Sequence, residues 1–230
     1  MTRFNELAVG NDVIDLRDPD AMGKHDNSRW LARVLSEREL ADFEHGMTHI
    51  RLWRLWAAKE SAFKVVKKMF GTSPSAKNLV VRGGDMEEEQ LGVVDTDHGP
   101  IYVRWTVDSE FIHCVAWWPQ GGEAERRIAS AVRPANDPSL EMQSLTPREA
   151  WSAKNPASVA VRSIARSLMP YNGTAIAELE IIRESTEQGF GPPRFERDGR
   201  ILPGYDLSLS HHGRFVAAAV SHPPGASHHG

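Results

Sequence analysis

Cysteine is nearly absent from this chain. Cys114 stands alone among 230 residues, which excludes an internal disulfide framework. No run of about 18 apolar residues occurs that would span a bilayer as a helix, and "MTRFNELAVGNDVIDL" at the start lacks the apolar centre of a signal peptide. A cytoplasmic protein without membrane contact is the expectation. Positive charge is not in excess either: 27 Lys+Arg against 31 Asp+Glu give a net charge of −4. That balance argues against bulk nucleic-acid binding, which calls for a basic domain or stripe. The sequence holds no HExxH, no paired CxxC and no GxxxxGK[ST], so the common zinc and P-loop sites are excluded. "GFGPPR" at 189–194 begins like a dinucleotide fingerprint, but Arg194 replaces its third glycine and two prolines cannot open the required helix. What is present is ordinary globular composition, 40% hydrophobic and 25% charged, in a length that suits one large domain or two small ones.

Residues 6–16 read as a strand with Asp12 at its middle. The segment from Ser28 to about His45 reads as helical, and Ser36 with Glu39 has capping-box spacing that divides it into two short helices. Residues 48–70 form the clearest helix, closed by Gly71. Leu55, Ala58, Ala62, Val65, Val66 and Met69 recur on it as a core face, while Trp53, Trp56, Glu60, Lys64 and Lys67 share another. This helix carries six Lys/Arg and one Glu, a local +5 that suggests a polyanion-binding surface. Strands are expected at 77–82, 100–105 and 111–119, and a Pro/Asn/Asp/Ser-rich linker at 119–148. A helix at 159–169, a strand at 178–184, a loop through Gly189 and Pro192-Pro193, and paired strands over 205–223 around His211, His212 and Gly213 follow. The implied division is an N-terminal half at 1–118, the linker, a C-terminal half at 149–223 and a mobile tail at 224–230. A faint repeat aligns "WAAKESA" at 56–62 with "WSAKNPA" at 151–157, the second copy lacking the acid. Cys114, in an apolar strand, reads as core filling.

Three features carry chemistry together: "GNDVIDL" at 10–16, "WAAKESAFK" at 56–64 and "LSLSHHGRF" at 207–215. In this combination and order the sequence resembles the 4′-phosphopantetheinyl transferase superfamily, whose members show a Gly-x-Asp strand, a Trp/Phe-x-x-Lys-Glu-(Ser/Ala)-x-x-Lys helix and a Ser-His strand-turn. The resemblance spans most of the chain. It implies transfer of 4′-phosphopantetheine from coenzyme A to a serine of an apo acyl or peptidyl carrier protein, with release of 3′,5′-ADP and a requirement for Mg²⁺. Mg²⁺ takes hard oxygen ligands, commonly one or two carboxylates. Asp12 and Glu60 are the expected metal pair, and Asp12, Glu60 and Lys64 the expected catalytic set, with Lys64 on a phosphate oxygen and Glu60 or a metal-bound water as base. By the same resemblance Ser210 and His211 hold the nucleotide end of coenzyme A, with Lys64, Arg214 and Arg194 adding charge.

The sequence departs from the family pattern in four places. Asn11 replaces the common Ile, a change expected to alter packing more than chemistry. Ile14 stands where two-domain members have a second acid, and Asp15 points to the other face of the strand. "GPPR" stands for the Gly-Lys-Pro loop, with Arg194 in place of its lysine. Finally, the motif order is that of the small holo-acyl-carrier-protein synthases, while the length is that of two-domain members. The expected fold is α+β: a pseudodimer of two similar halves, each an antiparallel sheet packed on a long helix, in permuted order, acting as a monomer. Arg29, Arg33 and Arg51 are expected to steer an acidic carrier protein. Two other readings compete: a degenerate module that binds coenzyme A or a carrier without transfer, and a Mg²⁺-dependent phosphohydrolase.

Overall fold

The computed structural model describes residues 7–83, 90–118, 122–140, 145–153, 155–170, 178–186 and 189–225. The acidic loop at Glu87–Glu89 and most of the expected tail lie outside them. Strands β1 (Ala8–Asp15), β2 (Val80–Gly83), β3 (Leu91–Asp95), β4 (Ile101–Val107) and β5 (Phe111–Trp118) form one sheet in the order β1-β5-β4-β3-β2, antiparallel throughout. Helices α1 (Pro19–Met22), α2 (Ser28–Val34), α3 (Glu37–Glu44) and α4 (His49–Phe70) lie between β1 and β2 in sequence. Ser36 and Glu39 form the capping box that separates α2 from α3. Thr48 caps α4 by accepting from the Arg51 N–H, and Gly71 ends it at φ 69°, a conformation that glycine adopts without strain.

The apolar stripe of α4 turns into the core: Leu55, Ala58, Ala62, Val65 and Val66 are fully buried against the sheet. Close approach depends on Gly10. A Cβ there would sit 2.0 Å from the Ser61 carbonyl oxygen, so the strand and the helix touch backbone to backbone. Residues on the Gly10 face of β1, Asp12 among them, consequently lie against α4.

The second half runs through α5 (Gly122–Arg126), β6 (Ile128–Pro134), α6 (Pro147–Ala150), α7 (Pro156–Ser167), β7 (Glu180–Thr186), β8 (Gly189–Arg197), β9 (Arg200–Ile201), β10 (Asp206–His212) and β11 (Phe215–Ser221). Here β10-β11-β6 form one sheet and β7-β8-β9 another, again antiparallel. In each half the first strand pairs with the last, β1 with β5 and β6 with β11. Each half also has a buried glutamate in a capping box, Glu39 or Glu149. It bonds a cation on the following long helix, Lys59 or Arg166, and a backbone N–H of the next strand, Val81 or Ile181.

Three expectations are corrected. The stretch 119–148 is not a linker, because β6 within it completes a sheet with β11. The segment around Gly189 and Pro192-Pro193 is strand β8, not a loop. Consecutive residues of a strand point their N–H groups to opposite sides, so the two prolines remove one donor toward each neighbour. β8 lies beside β10 with no backbone ladder between them. The faint repeat does not match structurally equivalent positions, since 56–62 sits within α4 while most of 151–157 precedes α7.

The halves meet along the outer edge of β1. The N–H groups of Val9, Asn11, Val13 and Asp15 donate to Asp206 Oδ2 (2.8 Å), Ser208 Oγ (2.9 Å), Ser210 Oγ (3.3 Å) and His212 Nδ1 (3.1 Å), every second residue of β10. Lys68 and Lys64 of α4 donate to the carbonyls of Val9 and Asn11. Side chains thus satisfy an edge that would otherwise be open to a further strand.

Candidate active site

Asp12 is the one residue of β1 that is not fully buried. Its Oδ1 accepts from Lys64 Nζ at 3.0 Å and from Ser210 Oγ at 2.8 Å. Lys64 also donates to the Asn11 carbonyl at 2.6 Å. An ammonium has three hydrogens, so one remains for a ligand, and the side chain is 28% exposed. Glu60 lies one turn before Lys64 on α4, half-buried, and forms no hydrogen bond or ion pair among the described residues. Burial first, and the Asp12 carboxylate second, raise its proton affinity above the ordinary carboxylate value, with Lys64 opposing them. Two acids thus face one site, and one of them has no hydrogen bond or ion pair among the described residues. They fit Mg²⁺, which takes one or two carboxylates and completes its shell with water and substrate phosphate.

His211 follows Ser210 on β10 and is exposed, whereas Ser210 is buried. Partial desolvation of the ring, then Lys64 and His212, hold its pKa below the usual imidazole value. The structure therefore brings Asp12, Glu60, Lys64, Ser210 and His211 together from β1, α4 and β10.

The other two site residues stand apart. Arg214 grips Asp15 through two guanidinium nitrogens, Nε to Oδ2 at 2.9 Å and Nη2 to Oδ1 at 2.8 Å, and bonds Glu110 as well. Its charge is already matched by two acids, so Arg214 serves the Asp15 corner, and Asp15 is held well below the carboxylate range by it. Arg194 pairs with Glu184 at 3.1 Å and lines a cavity of about 650 Å³ with Lys68, Phe70, His98, Tyr205 and Asp206. That volume suits a cofactor-sized ligand. Ala8, on its wall, is four residues from Asp12, about 13 Å along a strand.

Two further features escaped the sequence reading. Most of the cationic charge on α4 is not a surface: Arg54 and Lys59 are buried, and Lys64 and Lys68 are engaged with Asp12 and Asp206. Asn11 is fully buried, with Nδ2 3.3 Å from His113 Nε2, so its departure from Ile introduces a buried polar pair rather than a packing change alone. Cys114 is fully buried and its thiol is pushed up by burial, as befits core filling.

A family model described as the 4′-phosphopantetheinyl transferase superfamily matches residues 8–131. No curated protein matches the chain. The matched span starts at β1 and contains Asp12, Glu60 and Lys64, but not β10 with Ser210 and His211.

Proposed function

Because the chain belongs to the 4′-phosphopantetheinyl transferase superfamily, we propose that it moves 4′-phosphopantetheine from coenzyme A to a serine of an apo acyl or peptidyl carrier protein. The observation that carries this reading is the unpartnered Glu60 beside Asp12, with Lys64 bonded to the latter. In the transfer the serine oxygen bonds to the phosphorus attached to pantetheine, the bridging P–O bond of the pyrophosphate breaks, and 3′,5′-ADP leaves. Asp12 and Glu60 would hold Mg²⁺, which supplies charge to the pyrophosphate. The remaining Lys64 hydrogen binds a phosphate oxygen and stabilises negative charge as it shifts to the leaving group. Glu60, or a water held beside it, is the candidate to take the serine proton. His211 is the exposed contact for the nucleotide phosphate, and the cavity edged by Arg194 is where the rest of the nucleotide fits.

We read the two halves as a pseudodimer in permuted order, with one site per chain. The matching pairing of first and last strands and the paired buried glutamates support this. Aligning β5 with β11 and Lys59 with Arg166 puts Ala131 and Ser167 where the first half has Asp12 and Glu60. The second half thus has no acid pair. Ser221 Oγ donates to the Leu7 carbonyl at 3.0 Å, so the two ends of the described chain lie together, as an exchanged order of halves requires. Light scattering during size exclusion should give a monomer; a stable trimer would contradict this reading.

The functional test is intact-protein mass spectrometry of an apo carrier protein incubated with this protein, coenzyme A and Mg²⁺, beside a Glu60→Ala control. The expected result is a phosphopantetheine mass increase that the control lacks. Free phosphopantetheine with an unmodified carrier would indicate hydrolysis. Coenzyme A binding with neither product would indicate a binding module.

A further inference from the structure

Ser210 has one hydroxyl hydrogen, and it is given to Asp12 Oδ1 at 2.8 Å. The same oxygen accepts the Val13 N–H at 3.3 Å, which fixes where the hydroxyl sits and leaves its donor turned toward the acid. Lys64 Nζ reaches the same Oδ1. Asp12 Oδ2 accepts no hydrogen bond among the described residues. Along the side of β10 facing β1, Asp206, Ser208 and His212 also accept N–H groups of that strand, but Ser210 alone among the four also donates to a carboxylate of the site. The next residue, His211, projects to the other side of β10 and is exposed. Ser210 and His211 are adjacent in sequence and divided in task.

We infer that Ser210 is a positioning residue for Asp12 and not a contact for the nucleotide. With Lys64 it pins Oδ1, so that Oδ2 is the oxygen presented to a divalent cation, and His211 alone of the Ser-His pair meets the nucleotide phosphate. The inference rests on the reading of Asp12 and Glu60 as the metal pair. Hydrogen bonds behind a metal ligand commonly govern affinity by roughly 10–100-fold, and a hydroxyl already spent on a carboxylate cannot donate to phosphate without releasing it.

The test needs no carrier protein. Mn²⁺ affinity is measured by electron paramagnetic resonance, and coenzyme A affinity by calorimetry in a chelator, for the full chain and for Ser210→Ala, Ser210→Thr and His211→Ala. Ser210→Ala should weaken Mn²⁺ binding about tenfold or more and leave metal-free coenzyme A affinity within about twofold. Ser210→Thr, which keeps the hydroxyl, should restore Mn²⁺ binding, and His211→Ala should show the reverse pattern. Should the alanine variant not fold, Ser210→Cys, a weak donor of similar size, makes the same comparison. Loss of coenzyme A affinity with Mn²⁺ binding intact would overturn the inference and make Ser210 a nucleotide contact. Unchanged Mn²⁺ binding in Ser210→Ala would overturn it alone. Absence of Mn²⁺ binding by the unaltered protein would overturn the metal reading, and this inference with it.

Discussion

Lys59 Nζ lies 2.6 Å from Glu39 Oε2, with both side chains inside the protein, and donates as well to the carbonyls of Val34 and Ala76. Lys59 and Glu60 are neighbours in the motif helix, yet one faces the core and the other the site. Glu39 is in turn bonded to Ser36 and to the Val81 N–H, so this lysine joins α2, α3 and β2 to α4. Removing one partner of a buried ion pair leaves the other charged without compensation, at a cost of about 3–5 kcal/mol. Lys59→Met should therefore lower the melting temperature strongly. In the double variant with Glu39→Gln, the total loss should be smaller than the sum of the single losses. Lys64→Met should behave oppositely, melting near the unaltered protein but losing transfer activity on the order of 10²-fold. Equal melting temperatures for Lys59→Met and Lys64→Met would contradict this division.

Gly10 holds the acid strand against the motif helix, and substitution there should affect folding and site together. Its missing Cβ would meet a backbone oxygen, not a flexible side chain, so strand and helix must separate. Overpacking of this kind costs about 1–3 kcal/mol and sometimes more. Gly10→Ala should lower both the melting temperature and Mn²⁺ affinity. Gly71→Ala is the control: its φ of 69° makes alanine unfavourable, but open space surrounds it, so about 1 kcal/mol of stability should be lost with Mn²⁺ affinity unchanged. Parallel behaviour of both variants would show that Gly10 has no special link to the site.

Acid sensitivity should come in two stages. Burial, followed by the charges of Arg104 and Lys64, depresses His113 from 6.5 to about 3. The unfolded chain therefore takes up this proton first as pH falls. Stability is present in full above pH 6.5 and declines toward pH 3, with a limiting slope of about 1.4 kcal/mol per pH unit. His49 and His211 are lowered in the same direction and add to it. Asp15 is a depressed acid held by Arg214, so its contribution is present above its unfolded value of 3.8 and is lost as pH falls below it. Urea titrations from pH 8 to pH 3 should show a shallower decline for His113→Gln between pH 6.5 and 4. For Asp15→Asn, the extra decline below pH 4 should disappear. A slope unchanged in His113→Gln would mean that this ring does not stay neutral in the folded protein.

Several parts of this architecture are legible in the sequence because their causes are local. Thr48 and Gly71 bound α4, the Ser36–Glu39 spacing divides α2 from α3, and alternation along β1 separates Asp12 from Asp15. What was misjudged depends on partners distant in sequence. Lys59, Lys64 and Lys68 of α4 read as surface charge because nothing near them in sequence reveals Glu39, Asp12 and Asp206 as their acceptors. β6 lies in a polar, proline-containing stretch and becomes a strand through pairing with β11, more than 80 residues later. Arg214 read as a free cation beside the Ser-His pair, whereas its partner, Asp15, lies 199 residues earlier. The Ser210–Asp12 bond spans 198 residues and joins two motifs to which the sequence pattern alone gives separate tasks.

Partner docking depends on charge that is still exposed. Arg29 and Arg33 on α2 are exposed, while Arg51 is half-buried and donates to the Gly83 carbonyl. Helix α2 therefore presents two accessible cations, whereas of the six on α4 only Lys67 is exposed. Trp30 of α2 packs on Trp53 and Trp56 of α4, at ring separations of 5.6 and 5.4 Å, which fixes α2 relative to the helix bearing Glu60 and Lys64. On the proposed function, an acidic carrier protein drawn to Arg29 and Arg33 would meet a surface joined to the site through this packing. Exposed charges act mainly on the rate of encounter, and salt screens them over about 10 Å at 0.1 M. Arg29→Glu with Arg33→Glu should slow carrier modification about tenfold at low ionic strength, with most of the loss gone at 0.5 M salt. Coenzyme A affinity should be unchanged, because neither residue lines the cavity. Arg51→Glu should act differently, lowering stability through its lost bond to Gly83. A rate for the double variant equal to that of the unaltered protein at low salt would place the carrier on another face.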